Sequence, residues 1–257
     1  MYTYLEVSEL DRTVCINIKR ADRLNGLGLT MGKELHHYLS DFKIRTDVYL
    51  KRQDLPSTPR CLFLTATRTN SSWIAGGDLK ELSELNGIEV HDYISVWSEI
   101  CALLRKINVP TIAIIDGGCL GGGAELALSC DLRIMTEDSY FSFKQVQIGL
   151  SLGYGTTDLI TRILGEARAR SILLLGKTIS AKEALALGLL ETIATQDSLE
   201  ADKRALITHI LNLSPYGIAA QKKNFEISES ESESLTFLAN WGNSDHRKFL
   251  NAFTSKS

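Results

Sequence analysis

Glu125 is the residue whose neighbours best equip it to move a proton. It follows Gly121-Gly122-Gly123-Ala124 and precedes Leu126-Ala127-Leu128. The three glycines free the backbone to bend and to lie close against another group. The apolar residues after them suit the start of a buried helix, whose first N–H groups have no acceptor inside the helix. N–H groups aimed into a cleft stabilise developing negative charge. A carboxylate beside them in apolar surroundings can act as a general acid or base. The competing reading is that Glu125 only complements the helix dipole, as acidic residues in first turns do. Other glycine-loop chemistry fails on spacing. The sequence has no G-x-G-x-x-G run, so nothing points to a dinucleotide site. Gly176-Lys177-Thr178 looks like the end of a P-loop, but Ser171 stands where its first glycine is needed, and the run before it reads as helix.

Periodicity gives the elements that must hold this turn. Thr111 to Ile115 is a short β-branched run, read as a buried strand that Gly117 and Gly118 break. Cys61 to Ala66 is a continuous apolar strand of the kind buried on both faces. Residues 2–19 read as a hairpin, with Val14, Ile16 and Ile18 alternating with polar positions and Asp11-Arg12 at the turn. Met31, Leu35, Tyr38, Leu39 and Phe42 predict a helix over 30–42. Residues 43–60, with two prolines and no clear period, read as an inserted surface loop. A helix is expected over 88–107, with a stripe through Tyr93, Trp97, Ile100 and Leu104. Short strands are expected at 132–136 and 140–143, then helices from Thr157 and Glu166. Ser180-Ala181-Lys182-Glu183 is a capping box opening a further helix. Residues 199–213 read as an amphipathic helix, and 228–234, alternating Ser and Glu, as a solvated loop. Alternating strands and helices indicate an α/β fold.

Four blocks then carry a resemblance. They are residues 110–134; Trp73-Ile74-Ala75-Gly76-Gly77-Asp78-Leu79-Lys80; Ile148-Gly149-Leu150 through Gly155-Thr156-Thr157 with Leu164-Gly165-Glu166-Ala167; and Ile179 through Leu189. Their order and spacing resemble the enoyl-CoA hydratase/isomerase (crotonase) superfamily over roughly residues 5–195. The resemblance implies a crotonase-like β-β-α superhelix over 1–195 and a C-terminal helical region over 196–257 that packs at a trimer interface or over the active site. It implies an enzyme acting on acyl-CoA thioesters, with no cofactor beyond the CoA of the substrate and no metal. It makes the N–H groups of Gly77 and Gly122 the donors to the thioester oxygen, and Glu125 the proton-transfer residue. The loop 20–27 is similar to the family's CoA-pocket loop. Arg23, Ala75, Gly77 and Lys80 are the implied CoA-binding residues, Arg23 because guanidinium pairs well with phosphate.

The same resemblance exposes a departure. Hydratases of the family carry a second glutamate four residues before the position of Gly149, where this chain has Gln145. An amide cannot exchange a proton as a carboxylate does, but it can hydrogen-bond a water or a substrate group. Three reactions stay open: hydration or its reverse with Glu125 alone, double-bond isomerisation through a dienolate, and decarboxylation of an ethylmalonyl- or methylmalonyl-type carboxyacyl-CoA. From another class, a non-catalytic binding or scaffold subunit with this fold remains an alternative.

Bulk properties bound the partners. A net charge of −3 without a basic cluster gives no electrostatic case for nucleic acid or an anionic membrane. The five cysteines form no C-x-x-C pair, and the five histidines show no metal-ligand spacing. Without a membrane-length apolar run, a signal-peptide pattern or a Ser-Lys-Leu ending, the cytoplasm is expected by elimination. Leu235, Phe237, Leu238, Trp241, Phe249, Leu250 and Phe253 crowd the tail and need a surface to cover, so a homotrimer or a hexamer of two trimers is expected.

Overall fold

A computed structural model describes residues 2–52, 58–69, 71–226 and 230–255, without the side chains of 230–233, Phe253 and Thr254. Strands β1 (Leu5–Leu10) and β2 (Thr13–Ile18) form the expected hairpin. Asp11 and Arg12, both at positive φ, make its turn. Helix α1 (Leu29–Arg52) comes next, then β3 (Cys61–Ala66), β4 (Ser72–Ile74), α2 (Leu79–Glu84) and α3 (Gly87–Lys106). After β5 (Thr111–Ile115) and β6 (Gly118–Leu120) comes α4 (Gly122–Leu128), then β7 (Leu132–Thr136) and β8 (Tyr140–Ser142). The rest is α5 (Thr157–Leu164), α6 (Glu166–Leu174), β9 (Thr178–Ser180), α7 (Ala181–Ala186), β10 (Thr192–Ala194), α8 (Leu199–Leu211), α9 (Pro215–Glu226), α10 (Ser230–Asn240) and α11 (Ser244–Thr254).

The chain deals successive strands to two sheets. One sheet runs β1-β2-β3-β5-β7-β10 and the other β4-β6-β8-β9. After the β1–β2 hairpin, the pairs β3/β4, β5/β6 and β7/β8 each give one strand to each sheet and return through helix, which is the β-β-α superhelix the resemblance implied. Pairing is parallel except for β1–β2 and β8–β9. Both faces of the larger sheet are covered, which explains its unbroken apolar strands. Leu62 and Leu64 enter the main core with Trp97, Leu104 and Leu126. Cys61 and Phe63 face the other way, against Ile112, Ile134 and Ile210 of α8.

Two expectations are corrected. The loop over 43–60 is instead helix as far as Arg52, because Phe42, Thr46 and Tyr49 extend the buried face of α1 at helical spacing. An ion pair of 2.6 Å between Lys43 and Asp47 braces one turn of it. Residues 58–60 are buried leading into β3, and 53–57 lie outside the described residues. The Ser/Glu stretch likewise opens α10 from Ser230, while Ser228 and Glu229 lie outside the described residues. Lys222 of α9 ties the C-terminal helices to the core through an ion pair with Asp131 and a hydrogen bond to the Val109 carbonyl. All five thiols are free, and all but Cys15 are buried. Among the described residues no helix is long and apolar enough to cross a membrane, and no cluster of His, Cys, Asp or Glu is placed to hold a metal.

Candidate active site

Two glycine loops meet over one cavity. The first leaves β4 through Ala75-Gly76-Gly77, and a short bridge to Leu27 fixes its direction. The Leu27 N–H donates to the Gly76 carbonyl at 2.7 Å, and the Asp78 N–H donates to the Leu27 carbonyl at 3.0 Å. The bridge thus uses the groups on either side of Gly77. The second loop runs through Gly121, at φ +51°, into α4. A Cβ on Gly76 would stand 3.0 Å from the Leu120 carbonyl and 3.4 Å from the Gly122 nitrogen, so only glycine lets the loops approach this closely. Among the described residues, neither the Gly77 nor the Gly122 N–H has an acceptor within the chain. Both line a cavity of about 280 Å³.

Glu125 lies on the wall of this cavity, 2% exposed. Four donors hold its carboxylate: the Thr156 hydroxyl at 2.8 Å, the Tyr154 N–H at 2.9 Å, the Gly153 N–H at 3.2 Å and the Gln145 amide at 3.3 Å. Burial pushes its pKa above the ordinary carboxylate value, and the four hydrogen bonds pull it part of the way back. Such a carboxylate takes up a proton more readily than a solvated one while staying anchored. This set of contacts exceeds what the helix-dipole reading requires.

Gln145 opens a 3-10 turn (Gln145–Ile148) that ends at Gly149, φ +75°. Its Nε2 points to Glu125, while its Oε1 is buried without a partner. The cavity therefore offers a carboxylate and a spare amide acceptor on one wall and two N–H donors on the glycine loops. Leu79, Leu82, Ile94, Ile148 and Leu150 supply apolar lining.

The other implied binding residues sit further out. Ala75 lines the cavity, but its N–H already donates to the Leu24 carbonyl at 3.1 Å. Lys80 is exposed on α2, outside the cavity lining. Arg23 is exposed in a 3-10 turn (Ala21–Arg23), also outside it. The arginine that works structurally in this loop is Arg20, which pattern reading passed over. Arg20 binds Asp78 at 2.6 Å, Glu81 at 3.2 Å and the Gly26 carbonyl at 2.9 Å. Asp78 caps α2, so one cluster joins the 20–27 loop to the first glycine loop. Asn25, fully buried, adds bonds of 2.8 Å to the Trp73 and Thr67 carbonyls. Thr156, Gly153 and Tyr93 were also missed as site residues. Tyr93 was legible only as part of an apolar helix stripe, and Thr156 only as part of a loop block.

A spiral of paired sheets with two glycine loops facing a buried glutamate defines an α/β crotonase fold. The chain matches the enoyl-CoA hydratase/isomerase family profile over residues 11–246, and it belongs to that family and its class of enzymes. It is 26% identical to the short-chain-enoyl-CoA hydratase of Clostridium acetobutylicum, over 82% of this chain and 77% of the relative. It is 32% identical to the enoyl-CoA isomerase/hydratase of Mycosarcoma maydis, over 80% of this chain and 77% of the relative. The crystal structure of an enoyl-CoA hydratase from Bacillus anthracis superposes with a TM-score of 0.86 at 25% identity, covering 99% of this chain and 97% of that one.

Proposed function

We propose that this enzyme hydrates a 2-enoyl-CoA, or dehydrates the 3-hydroxyacyl-CoA, with Glu125 as its one proton-transfer group. The thioester oxygen lies on the Gly77 and Gly122 N–H groups, which stabilise the enolate. Water adds at the β-carbon and gives a proton to Glu125, which then delivers that proton to the α-carbon of the enolate. Gln145 Oε1 accepts a hydrogen bond from the water or the product hydroxyl. The observation that carries the reading is a buried carboxylate facing the same cavity as two unpaired backbone N–H groups. Isomerisation uses the same parts, with Glu125 carrying a proton between two carbons. The related sequences include both a hydratase and an isomerase/hydratase.

Charge favours a second reading, loss of CO2 from a carboxyacyl-CoA. With Gln145 in place of a second carboxylate, Glu125 is the one acidic side chain lining the cavity among the described residues, and Lys144 the one basic one. A substrate carboxylate then meets less repulsion. The C–C bond pair would pass into the enolate held by the glycine N–H groups.

The CoA portion would lie along the loops 20–27 and 73–80, with Arg23 and Lys80 outside the cavity as candidates for its phosphates. The spiral core over 1–195 would carry the chemistry, and 196–257 the assembly surface. Leu235, Phe237, Leu238 and Trp241 of α10 and its end are more than half exposed, which supports a homotrimer or homohexamer. Five free thiols suit a reducing cytoplasm.

Mass spectrometry of 2-enoyl-, 3-enoyl-, 3-hydroxyacyl- and methylmalonyl- or ethylmalonyl-CoA, with chromatography to resolve isomers, tests the reaction. Gain or loss of water that disappears in Glu125→Gln is the expected result. Double-bond migration would make the protein an isomerase, and CO2 loss a decarboxylase. Thioester binding without turnover in any reaction would make it a scaffold.

A further inference from the structure

Two phenol groups on the inner wall of the cavity have no part in the reading above. Tyr93 comes from α3 and Tyr154 from the loop before α5, and both line the cavity while being 3% and 4% exposed. Their hydroxyls are hydrogen-bonded to each other at 2.5 Å. Trp97, one helical turn after Tyr93, stacks on Tyr154 with ring centroids 6.0 Å apart and planes at 23°. Tyr154 is held at its other end too, since its N–H donates to Glu125.

The pair touches both glycines that carry free N–H groups. A Cβ on Gly77 would fall 2.9 Å from the Tyr93 hydroxyl, and one on Gly122 would fall 2.8 Å from the Tyr154 hydroxyl. The two phenols occupy the space that side chains at those positions would need. Their proton count then matters. Two neutral phenols carry two protons, and the bond between them uses one. The second O–H has no acceptor within the chain among the described residues. A buried donor without a partner is costly, so an acceptor is to be sought in the cavity. Desolvation raises both phenol pKa values, so the pair keeps its protons at any working pH.

We propose that the Tyr93–Tyr154 pair donates its spare O–H to an oxygen of the bound acyl thioester, beside the Gly77 and Gly122 N–H groups. This deepens the proposed function and rests on its placing of a thioester in the cavity. The nearest candidate is the thioester oxygen, for which the pair is a third donor that strengthens as enolate charge develops. The same O–H could instead meet an oxygen on the β-carbon of the acyl group. The shared chemistry is a neutral donor to a substrate oxygen, and the two targets are separable.

The experiment uses the full chain with butyryl-CoA and 3-hydroxybutyryl-CoA, each carrying 13C in the thioester carbonyl. Wild type, Tyr93→Phe, Tyr154→Phe and the double variant are compared. The carbonyl stretch of the bound ligand is read by isotope-edited infrared difference spectroscopy, and affinity by calorimetry. If the target is the thioester oxygen, the double variant shifts the butyryl-CoA band back toward its value in water. It also loses roughly 10²-fold in kcat with KM little changed, as for loss of one oxyanion donor. If the target is a β-oxygen, the butyryl-CoA band stays in place and the preference for 3-hydroxybutyryl-CoA over butyryl-CoA falls about tenfold in the double variant. Single variants lose less than half of either effect in logarithmic terms, because the surviving hydroxyl is released from its partner and still donates. A pair that only braces α3 would lower the melting temperature and leave both the band and the preference unmoved, which overturns the proposal. Wild-type protein that binds neither thioester would overturn the functional reading itself, and this inference with it.

Discussion

Replacing Thr156 with valine keeps the shape of a fully buried side chain and removes one hydroxyl. That hydroxyl makes the shortest of the four hydrogen bonds to Glu125, at 2.8 Å. A hydrogen bond to a charged group contributes about 1.5–3 kcal/mol. One pKa unit corresponds to about 1.4 kcal/mol, so losing the bond raises the Glu125 pKa by ~1–2 units. The starting point is already above the ordinary carboxylate value, because burial outweighs the donors. The sign follows from the role. On the proposed reading Glu125 must be ionised to accept a proton from water, so the rate of hydration is lost as pH falls through its pKa. Raising the pKa carries this acid limb to higher pH. The assay is kcat/KM for hydration of a 2-enoyl-CoA as a function of pH, for wild type and Thr156→Val, with melting temperatures as a folding control. The limb should move up by about one unit or more. An unmoved limb in a folded variant, or one displaced to lower pH, would refute the claim that these hydrogen bonds set the basicity of Glu125.

Further outcomes follow from neighbouring contacts. Gln145→Glu places a second carboxylate against Glu125, so the acid limb should again rise by about a unit or more as the two groups share a proton; pH–rate profiles will show it. Gly122→Ala puts a methyl 2.6 Å from the Tyr154 ring, and the displaced N–H should cost roughly 10²–10³ in kcat with the fold retained, checked by steady-state kinetics and circular dichroism. Lys222→Met leaves Asp131 without its cation. With Asp131 26% exposed in its side chain, urea denaturation should show a loss of about 2–3 kcal/mol, below the ~3–5 of a fully buried pair.

The glycine loops and the helix start at Glu125 were legible because each is a short-range signal, backbone freedom and an apolar helix start; the departure at Gln145 was legible only against the family resemblance. The sheet strands were legible because burial on both faces leaves unbroken apolar runs. What failed was length and company. Helix α1 continues to Arg52 because Thr46 and Tyr49 bury against the core, and neither is apolar enough to extend a hydrophobic period. The Arg20–Asp78–Glu81 cluster joins residues about 60 positions apart, a distance at which local pattern says nothing. Tyr93 and Tyr154 are 61 positions apart; Tyr93 reads as part of an apolar helix stripe and Tyr154 as a polar group able to face the pocket, with nothing to pair them. Only the fold shows that their hydroxyls meet beside the two glycines. Arg23 and Lys80 stand exposed outside the cavity lining. Their loops were placed correctly, but side-chain direction on exposed turns is not written in spacing.

On the proposed reading, the glycine N–H groups stabilise a thioester enolate while Glu125 moves the proton. Exchange of α-hydrogen tests this without presuming which reaction follows. Butyryl-CoA and 3-hydroxybutyryl-CoA would be incubated with the enzyme in D2O and weighed by mass spectrometry, beside Glu125→Gln. Deuterium entering the α-carbon with wild type, and absent with a variant that still binds the thioester, is the predicted result. Bound thioester that gains no deuterium with wild type, or gains it equally with Glu125→Gln, would rule out proton transfer by Glu125 at the α-carbon.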